Sequence, residues 1–548
     1  MRVVRYLRPL LPGPRDYRLL AQSWRGDVLA GITVGIVALP LALAFGISSG
    51  AGAEAGLVTA IVAGIVAAVF GGSNIQVSGP TGAMVVVLGP IVAKSGAATV
   101  AVVSIMAGVV VLVAGLLKLG RLVGYIPWPV IEGFTLGIAV IIFLQQVPAA
   151  MGVKSAPGAN AVVAAIRAIG HADVSVVGWT VGSVFVVAAI MLFAPRIHRQ
   201  LPGSLIGIIV VTVVASLAHL PLPRLGELPP SLPAPALPTL TLSTLVGLSG
   251  PALTVAALAA IESLLSARVA ASLADTGSYD ADRELVGQGL ASVAAGLFGG
   301  MPATGAIART AVNVRSGGRT RLAAVVHALV LLGVVYLAAG VVSQIPLAAL
   351  AGVLLVTAVR MVSPATVGSV LRSTRADAAV FAVTAIVTVS FDLIVAVGIG
   401  IAAAAFFALR HLSRSGGVHR EEIPGPAQPG DDRIALFRLD GALFFGAADR
   451  MLERVNSIDG VTVVIIRMSQ LQVLDATGAR VVTEMIHDLE RRGITVLVKG
   501  IQPEHVRLAT TVGIISSLRH ANHLFTDLDS AIEHARSHVQ RADVTQLP

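Results

Sequence analysis

Between Val28 and Leu117 the chain carries only two charged residues, Glu54 and Lys94. A helix crosses a bilayer with about 20 apolar residues, so this stretch alone holds several crossings, and a water-soluble globule has no means of hiding it. The remainder agrees. Of 548 residues, 55% are hydrophobic and 13% charged, against about 25% charged in an ordinary soluble protein, and the mean hydropathy is +0.85. The 57 glycines suit helices that must approach closely in lipid. There is no cysteine, which excludes disulfides, thiolate catalysis and Cys-based metal sites. The composition is that of a polytopic membrane protein and argues against a soluble enzyme, a disordered scaffold or a coiled coil.

Apolar segments over 28–49, 54–72, 76–92, 97–117, 127–149, 175–195, 201–220, 248–270, 285–300, 304–316, 321–342, 346–362, 376–392 and 393–410 predict fourteen full or partial spans. The net charge of +9 follows this topology. From Ser413 onward there are 15 Lys/Arg and 17 Asp/Glu, leaving 24 basic and 13 acidic residues before it. With the N-terminus inside, the cytoplasmic loops hold Lys118, Arg121, Arg196, Arg199, Arg268, Arg283, Arg315, Arg319, Arg321, Arg360, Arg372, Arg375 and Arg410. The outer loops hold Lys94, Lys154, Arg167 and Arg224. That asymmetry puts both termini in the cytoplasm, and no aromatic–basic interleaving points to nucleic acid. Beyond Ser413 the pattern changes. Strand-like runs at Ile434–Phe445, Val461–Arg467 and Ile494–Val498 alternate with helix-like runs at Thr477–Arg492, Pro503–Val512 and Asp529–Val539, which predicts a small α/β domain. The expected organisation is an N-terminal segment 1–27, a membrane domain 28–412, a linker 413–432, a soluble domain 433–541 and a tail 542–548.

Two segments repeat one another: Gln76-Val-Ser-Gly-Pro-Thr-Gly-Ala-Met84 and Gly300-Met-Pro-Ala-Thr-Gly-Ala-Ile307. Each places a proline shortly before Thr-Gly-Ala at the third span of a seven-span half, and broken segments in corresponding halves point to a transporter binding site. Irregular backbone persists at membrane depth only around a protein-lined cavity, and two helix N-termini there make an anion site. Three ionisable residues fall inside spans, Glu132, Glu262 and Arg309, and such residues usually face a functional cavity or one another. Arg309 adds positive charge to the anion site or snorkels to the cytoplasm. Glu262, with Ser263 beside it and Ser266 a turn later, takes a proton, binds a cation or pairs with an arginine such as Arg309. Glu132 and His327 read as structural. Seven histidines beyond residue 418 show no metal-ligand spacing, so no metal and no cofactor is expected, and no phosphate-binding or nucleophile motif suggests an enzyme.

The segments Asp27–Pro40, Gln76–Met84, Ile261–Ser266 and Thr304–Asn313 resemble the SulP family of anion transporters, and Leu474-Asp-Ala-Thr-Gly-Ala479 resembles the STAS domain that ends those proteins. The resemblance spans residues 20 to 540 or so and implies an all-α membrane protein of 14 spans, a 7+7 inverted repeat with core and gate domains, working as a homodimer by an elevator-like movement. It implies substrate binding by Phe45, Ser78, Gly79, Thr81, Gly82, Ala83, Thr304, Gly305, Ala306 and Arg309, and coupling through Glu262 and Ser266. Departures are Leu41 where many members have Gln, Ile307 where sodium-dependent bicarbonate members have Thr, and Glu262 where those have Asp. They favour a proton over sodium as the coupling ion. The expected function is secondary active transport of sulfate, bicarbonate or a dicarboxylate across the cell membrane. The alternatives are an uncoupled anion exchanger or channel, and a membrane-anchored STAS sensor. In the STAS domain Asp475 and Thr477 are either a regulatory pair, with Thr477 phosphorylated and a cytoplasmic protein partner, or a helix cap.

Overall fold

The computed structural model describes residues 8–153, 160–198, 201–238, 241–274, 277, 279–390, 393–415, 417–443 and 460–545. They divide into two units, Met1–Ala402 and Ala403–Pro548. Phe445, Lys154, Arg199 and the ends of the N-terminal segment and of the tail lie outside the described residues.

In the first unit runs of Ala, Val, Leu and Ile become helices wherever Gly, Pro or polar clusters do not interrupt them. The first half comprises α1 (Leu20–Ser48), α2 (Ala53–Phe70), the two-residue strand β1 (Ser78–Gly79), α3 (Gly82–Ser95), α4 (Thr99–Leu116), α5 (Trp128–Ala150), α6 (Ala161–Gly170), α7 (Val174–Ile197) and α8 (Gly203–Leu217). The second comprises α9 (Leu242–Leu273), α10 (Ala281–Leu297), the strand β2 (Thr304–Gly305), α11 (Ile307–Arg315), α12 (Arg321–Val342), α13 (Leu347–Met361), α14 (Pro364–Arg372) and α15 (Arg375–Ser390), and a last helix, α16 (Leu393–Ser415), runs across the boundary at Ala402. Among the described residues, eight helical stretches are long and apolar enough to cross a bilayer. The short helices α6 and α14 occupy connections in which no helix was expected. Both carry side-chain caps, Asn160 on Val162 N–H and Ser363 on Thr366 N–H.

Two groups of helices pack together. In one, α1 lies on α12, α4 on α9 and α10, and α2 on α10 and α12; in the other, α5 packs on α13 and α15, and α7 on α8 and α13. Several charged groups expected at the surface are instead buried between helices. Asp27, fully buried in α1, accepts from Ser23 Oγ at 2.7 Å, Arg319 N at 2.6 Å, Thr320 N at 2.9 Å and Thr320 Oγ1 at 2.7 Å. That satisfied carboxylate lets α1 begin at Leu20, inside the stretch read as the N-terminal segment. Arg283 and Arg321, counted among cytoplasmic loop residues, are 7% and 3% exposed. Arg283 pairs with Asp16 at 2.9 Å, and Arg321 donates to the Ala68 carbonyl at 2.9 Å.

The second unit is a five-stranded sheet, β3 (Gly417–Glu421), β4 (Ile434–Leu443), β5 (Val463–Leu474), β6 (Thr495–Lys499) and β7 (Leu524–Phe525), in that spatial order. The β3–β4 pair is antiparallel and the others are parallel. Strand β3 falls within the stretch read as linker, where its Glu421 bonds Arg438 of the neighbouring β4 and Arg467 of β5 beyond it. Helices α17 (Ala476–Arg491) and α18 (Pro503–Val512) cover one face with Val482, Met485, Ile486 and Ala509. Helix α19 (Leu528–Thr545) covers the other with Ala531, Ile532, Ala535 and Val539. Burial on both faces explains why β6 reads as an unbroken apolar run.

Candidate functional site

The two repeated segments meet. Strands β1 and β2 pair antiparallel, Ser78 opposite Gly305 and Gly79 opposite Thr304, and Ala306 N donates to the Val77 carbonyl at 2.9 Å. Because the strands run in opposite directions and each leads into a helix, α3 and α11 depart on opposite sides with their N-termini at the strand pair. Thr81 precedes α3 and Ala306 precedes α11 in extended backbone, and neither helix start has a side-chain cap bond among the described residues. By contrast, Asp173, Thr241, Asp280 and Thr320 cap α7, α9, α10 and α12. The free N–H groups and the positive dipole ends of α3 and α11 are therefore left at the junction.

Glu262 enters the junction from α9. Its Oε2 accepts from Thr81 Oγ1 at 2.8 Å and from Thr304 Oγ1 at 2.9 Å, and the two hydroxyl oxygens are 3.1 Å apart. Arg309, 2% exposed, reaches back from α11 so that Nη2 donates to the Pro80 carbonyl at 2.5 Å. Its Nη1 is buried with no hydrogen-bond partner among the described residues. The arginine is thus not a snorkelling one, and Glu262 and Arg309 form no ion pair among the described residues: the carboxylate is held by the threonines and the guanidinium by a backbone carbonyl.

Glycine is required where the parts touch. At Gly79, φ is +153°, and a Cβ there would lie 2.7 Å from Arg309 Nη1. At Gly305 a Cβ would fall 1.5 Å from Gln76 Nε2. Phe45 is buried on α1, its ring 3.5 Å from where a Cβ on Gly82 would lie. Ala83 and Ala306 are buried at the two helix starts, and Ser78 accepts from Gln288 Nε2 at 2.6 Å. Ser266 is buried against Gly305, its Oγ without a partner among the described residues. Glu132, by contrast, accepts from Trp128 Nε1 at 3.0 Å on α5, away from the junction.

A frame that the sequence reading did not single out holds this arrangement. Gln76 Nε2 donates to the Ser263 carbonyl at 3.1 Å, and Gly305 N donates to Ser263 Oγ at 3.1 Å. Val77 N donates to Thr310 Oγ1 at 3.0 Å, and Asn313 Nδ2 to the Ile75 carbonyl at 2.8 Å. Glu284 accepts from Gly72 N at 2.8 Å, Ser73 N at 3.2 Å and Gln288 Nε2 at 2.9 Å. The spacing of Glu284 and Gln288, one helical turn apart in an Ala/Gly-rich helix, was the available signal.

In the second unit Asp475 is the N-cap of α17, its Oδ1 accepting from Gly478 N at 2.7 Å, while Thr477 is exposed in the first turn. The histidines beyond residue 418 are not all scattered. Ring nitrogens of His523, His534 and His538 lie within 4.8 Å of one another, because the short 3-10 turn Ala521–His523 that leads into β7 carries the first beside the helix that carries the other two.

Comparison with known proteins gives a consistent result. The profile of the Sulfate permease family matches residues 24–384, and that of the STAS domain matches residues 426–531. The sulfate transporter candidate YvdB of Bacillus subtilis is 35% identical over 91% of this chain and 95% of its own length. The bicarbonate transporter BicA of Synechocystis is 32% identical over 87% and 88%. Among solved structures, the transmembrane domain of a cyanobacterial BicA matches 71% of this chain and 98% of its own at 34% identity and a TM-score of 0.60. The murine Slc26a9 anion transporter covers 97% and 95% at 16% identity with a TM-score of 0.82, a likeness of fold.

Proposed function

The chain belongs to the sulfate permease family, a multi-pass membrane protein with a C-terminal STAS domain, and from that premise we propose that it is a proton-coupled secondary transporter of a small anion. The observation that carries this reading is the junction of two uncapped helix starts with a buried, half-partnered arginine. Free N–H groups, dipole ends and a guanidinium N–H all attract an anion, and together they supply donors on several sides of it. Such a junction suits sulfate, bicarbonate or a small dicarboxylate, and relatives are named for the first two.

Glu262 provides the coupling. When ionised it accepts from Thr81 and Thr304 with the same oxygen; a second anion beside it is then opposed by like charge in a site of low dielectric. Protonation of Glu262 removes that opposition and turns the carboxyl into a donor. With the proton on Oε2, the oxygen that both threonines donate to, one threonine hydroxyl reorients and frees a donor toward the junction. Proton and anion therefore load together. Ile307 at the start of α11 offers no hydroxyl to a sodium ion.

The wider mechanism is an elevator. Fourteen spans form two inverted seven-span repeats, with α1–α4 and α9–α12 as the moving core and α5, α7, α8, α13, α15 and α16 as the gate. The pairing of helices supports the repeat: exchanging the halves turns the α1–α12 contact into α9–α4, α2–α12 into α10–α4, and α5–α15 into α13–α7, and all of these contacts occur. The protein works as a homodimer in the cell membrane with both termini cytoplasmic, and residues 433–541 act as the STAS domain.

Uptake of radiolabelled sulfate, bicarbonate and dicarboxylates into liposomes, recorded with a lumenal pH dye, tests the reading. Substrate-driven proton entry is the expected result. Anion flux without proton movement would instead mark an uncoupled exchanger, and the absence of any anion flux would remove the transport assignment.

A further inference from the structure

The histidine cluster of the second unit has no part in the transport reading. His534 and His538 lie one turn apart on α19, their Nε2 atoms 3.2 Å from each other. His523, 1% exposed, packs against both with ring centroids 5.5 and 5.4 Å away, and its Nδ1 is buried without a hydrogen-bond partner among the described residues. His520 stacks edge-on with His523 at 5.3 Å, and Phe525 closes one side of His534 at 5.4 Å.

We propose that His523, His534 and His538 bind a divalent transition-metal ion, with zinc, nickel or copper as the chemical class. The geometry suits one. Tetrahedral zinc with Zn–N bonds of about 2.0–2.1 Å holds its ligand nitrogens roughly 3.3 Å apart. The His534–His538 pair already has this spacing, and two histidines at i and i+4 form one half of a common zinc arrangement. The third nitrogen lies within 4.8 Å of the pair, so a rotamer adjustment of His523 closes the triangle. His520 or a water completes the fourth position. An all-imidazole set suits zinc, nickel and copper and disfavours calcium and magnesium, which take oxygen ligands.

The ligands are also held in the form a metal needs, the neutral imidazole. Burial, then the neighbouring His538, His534 and His520, pushes His523 down to about 4. Burial and Arg541 lower His534; burial, Arg541, His534, Arg519 and His520 lower His538. Of the two arginines, Arg519 is tied to Glu490 at 3.1 Å and Arg541 donates to the Ser537 carbonyl at 3.1 Å, so each has an anchor apart from the cluster. Bound metal would fasten α19 to the β6–β7 edge.

The test uses the full-length protein in detergent, purified on a tag without histidine. Zinc binding is measured by equilibrium dialysis, and cobalt substitution by visible absorption, at about one pH unit above the ordinary histidine value of ~6.5. One saturable equivalent of zinc and a tetrahedral cobalt spectrum are expected. His534→Gln and His538→Gln should each weaken binding by at least the roughly 10–100-fold that loss of a mere supporting partner costs, with metal-free melting close to that of the parent. Binding should weaken as pH falls below the ordinary histidine value of ~6.5 and the ligands protonate. Lack of a saturable equivalent, or unchanged affinity in both variants, would overturn the proposal. Anion uptake plays no part in the readout, so its outcome is separate from that of the transport assignment.

Discussion

Thr81 and Thr304, 223 residues apart, donate to the same oxygen of Glu262 and stand 3.1 Å from each other. They are the equivalent residues of the two repeated segments. A pseudo-symmetric pair of helix starts is thus closed by a single, asymmetric carboxylate that bonds to both segments.

Glu262→Gln keeps the shape and most hydrogen bonding but removes the titratable proton. Uptake driven by an inward proton gradient should collapse, while anion exchange at equal pH survives. Gradient-driven uptake with the parental pH profile in the variant would take the proton role away from Glu262.

Arg309→Ala removes a charged donor from the junction and leaves the Pro80 carbonyl without its partner. A charge-assisted hydrogen bond is worth about 1.5–3 kcal/mol, so anion affinity should drop roughly 10–150-fold. Calorimetry on the purified variant checks this. Parental affinity for every anion tested would leave the residue a purely structural role.

Gly79→Ala acts on the same arginine from the other side. A methyl group would lie 2.7 Å from Nη1, at a φ of +153° that side chains rarely adopt, and holding such a backbone costs about 1–3 kcal/mol. The guanidinium must shift, so transport should fall nearly as far as in Arg309→Ala while the protein still inserts and purifies. Wild-type uptake kinetics from the alanine variant would show that the contact is not needed.

Asp475→Ala tests the cap reading of the STAS residues. Loss of the bond to Gly478 N should destabilise α17 by about 1 kcal/mol, seen as faster hydrogen exchange in its first turn, with anion uptake unchanged. Unaltered exchange would leave Asp475 without a capping role.

The metal-free second unit should lose stability in acid. His523 is pushed down to about 4 by burial and neighbouring histidines, below the ordinary ~6.5 of the unfolded chain. Between these values the unfolded state binds more protons, so stability rises with pH. It is complete above pH ~6.5 and declines as pH falls toward 4. Hydrogen exchange in β6 and α19 of the full chain, compared with His523→Gln, measures it: the parent should open faster in acid and the variant should depend less on pH. Equal pH dependence in the two would mean His523 is not the group responsible.

The long helices of the first unit were legible because they depend on local composition, an apolar run long enough to cross lipid ended by Gly, Pro or a cap, whereas the short helices α6 and α14 were not. The breaks before α3 and α11 were legible for the same reason, since Ser-Gly-Pro-Thr and Pro-Ala-Thr cannot continue a helix. Even Arg309 and Glu262 stood out, as charges rarely left in such segments without a partner. Which partner each takes was decided only in three dimensions. Glu262 could as readily have paired with Arg309 by sequence, but the strand pairing of Ser78 with Gly305 brings two threonines to the carboxylate and the Pro80 carbonyl to the arginine. Asp27, Glu284 and the three histidines follow the same rule. Each acquires its role from residues contributed by another element, because propensity and hydropathy act over a few turns whereas buried polar groups must be satisfied by whatever the packing places beside them.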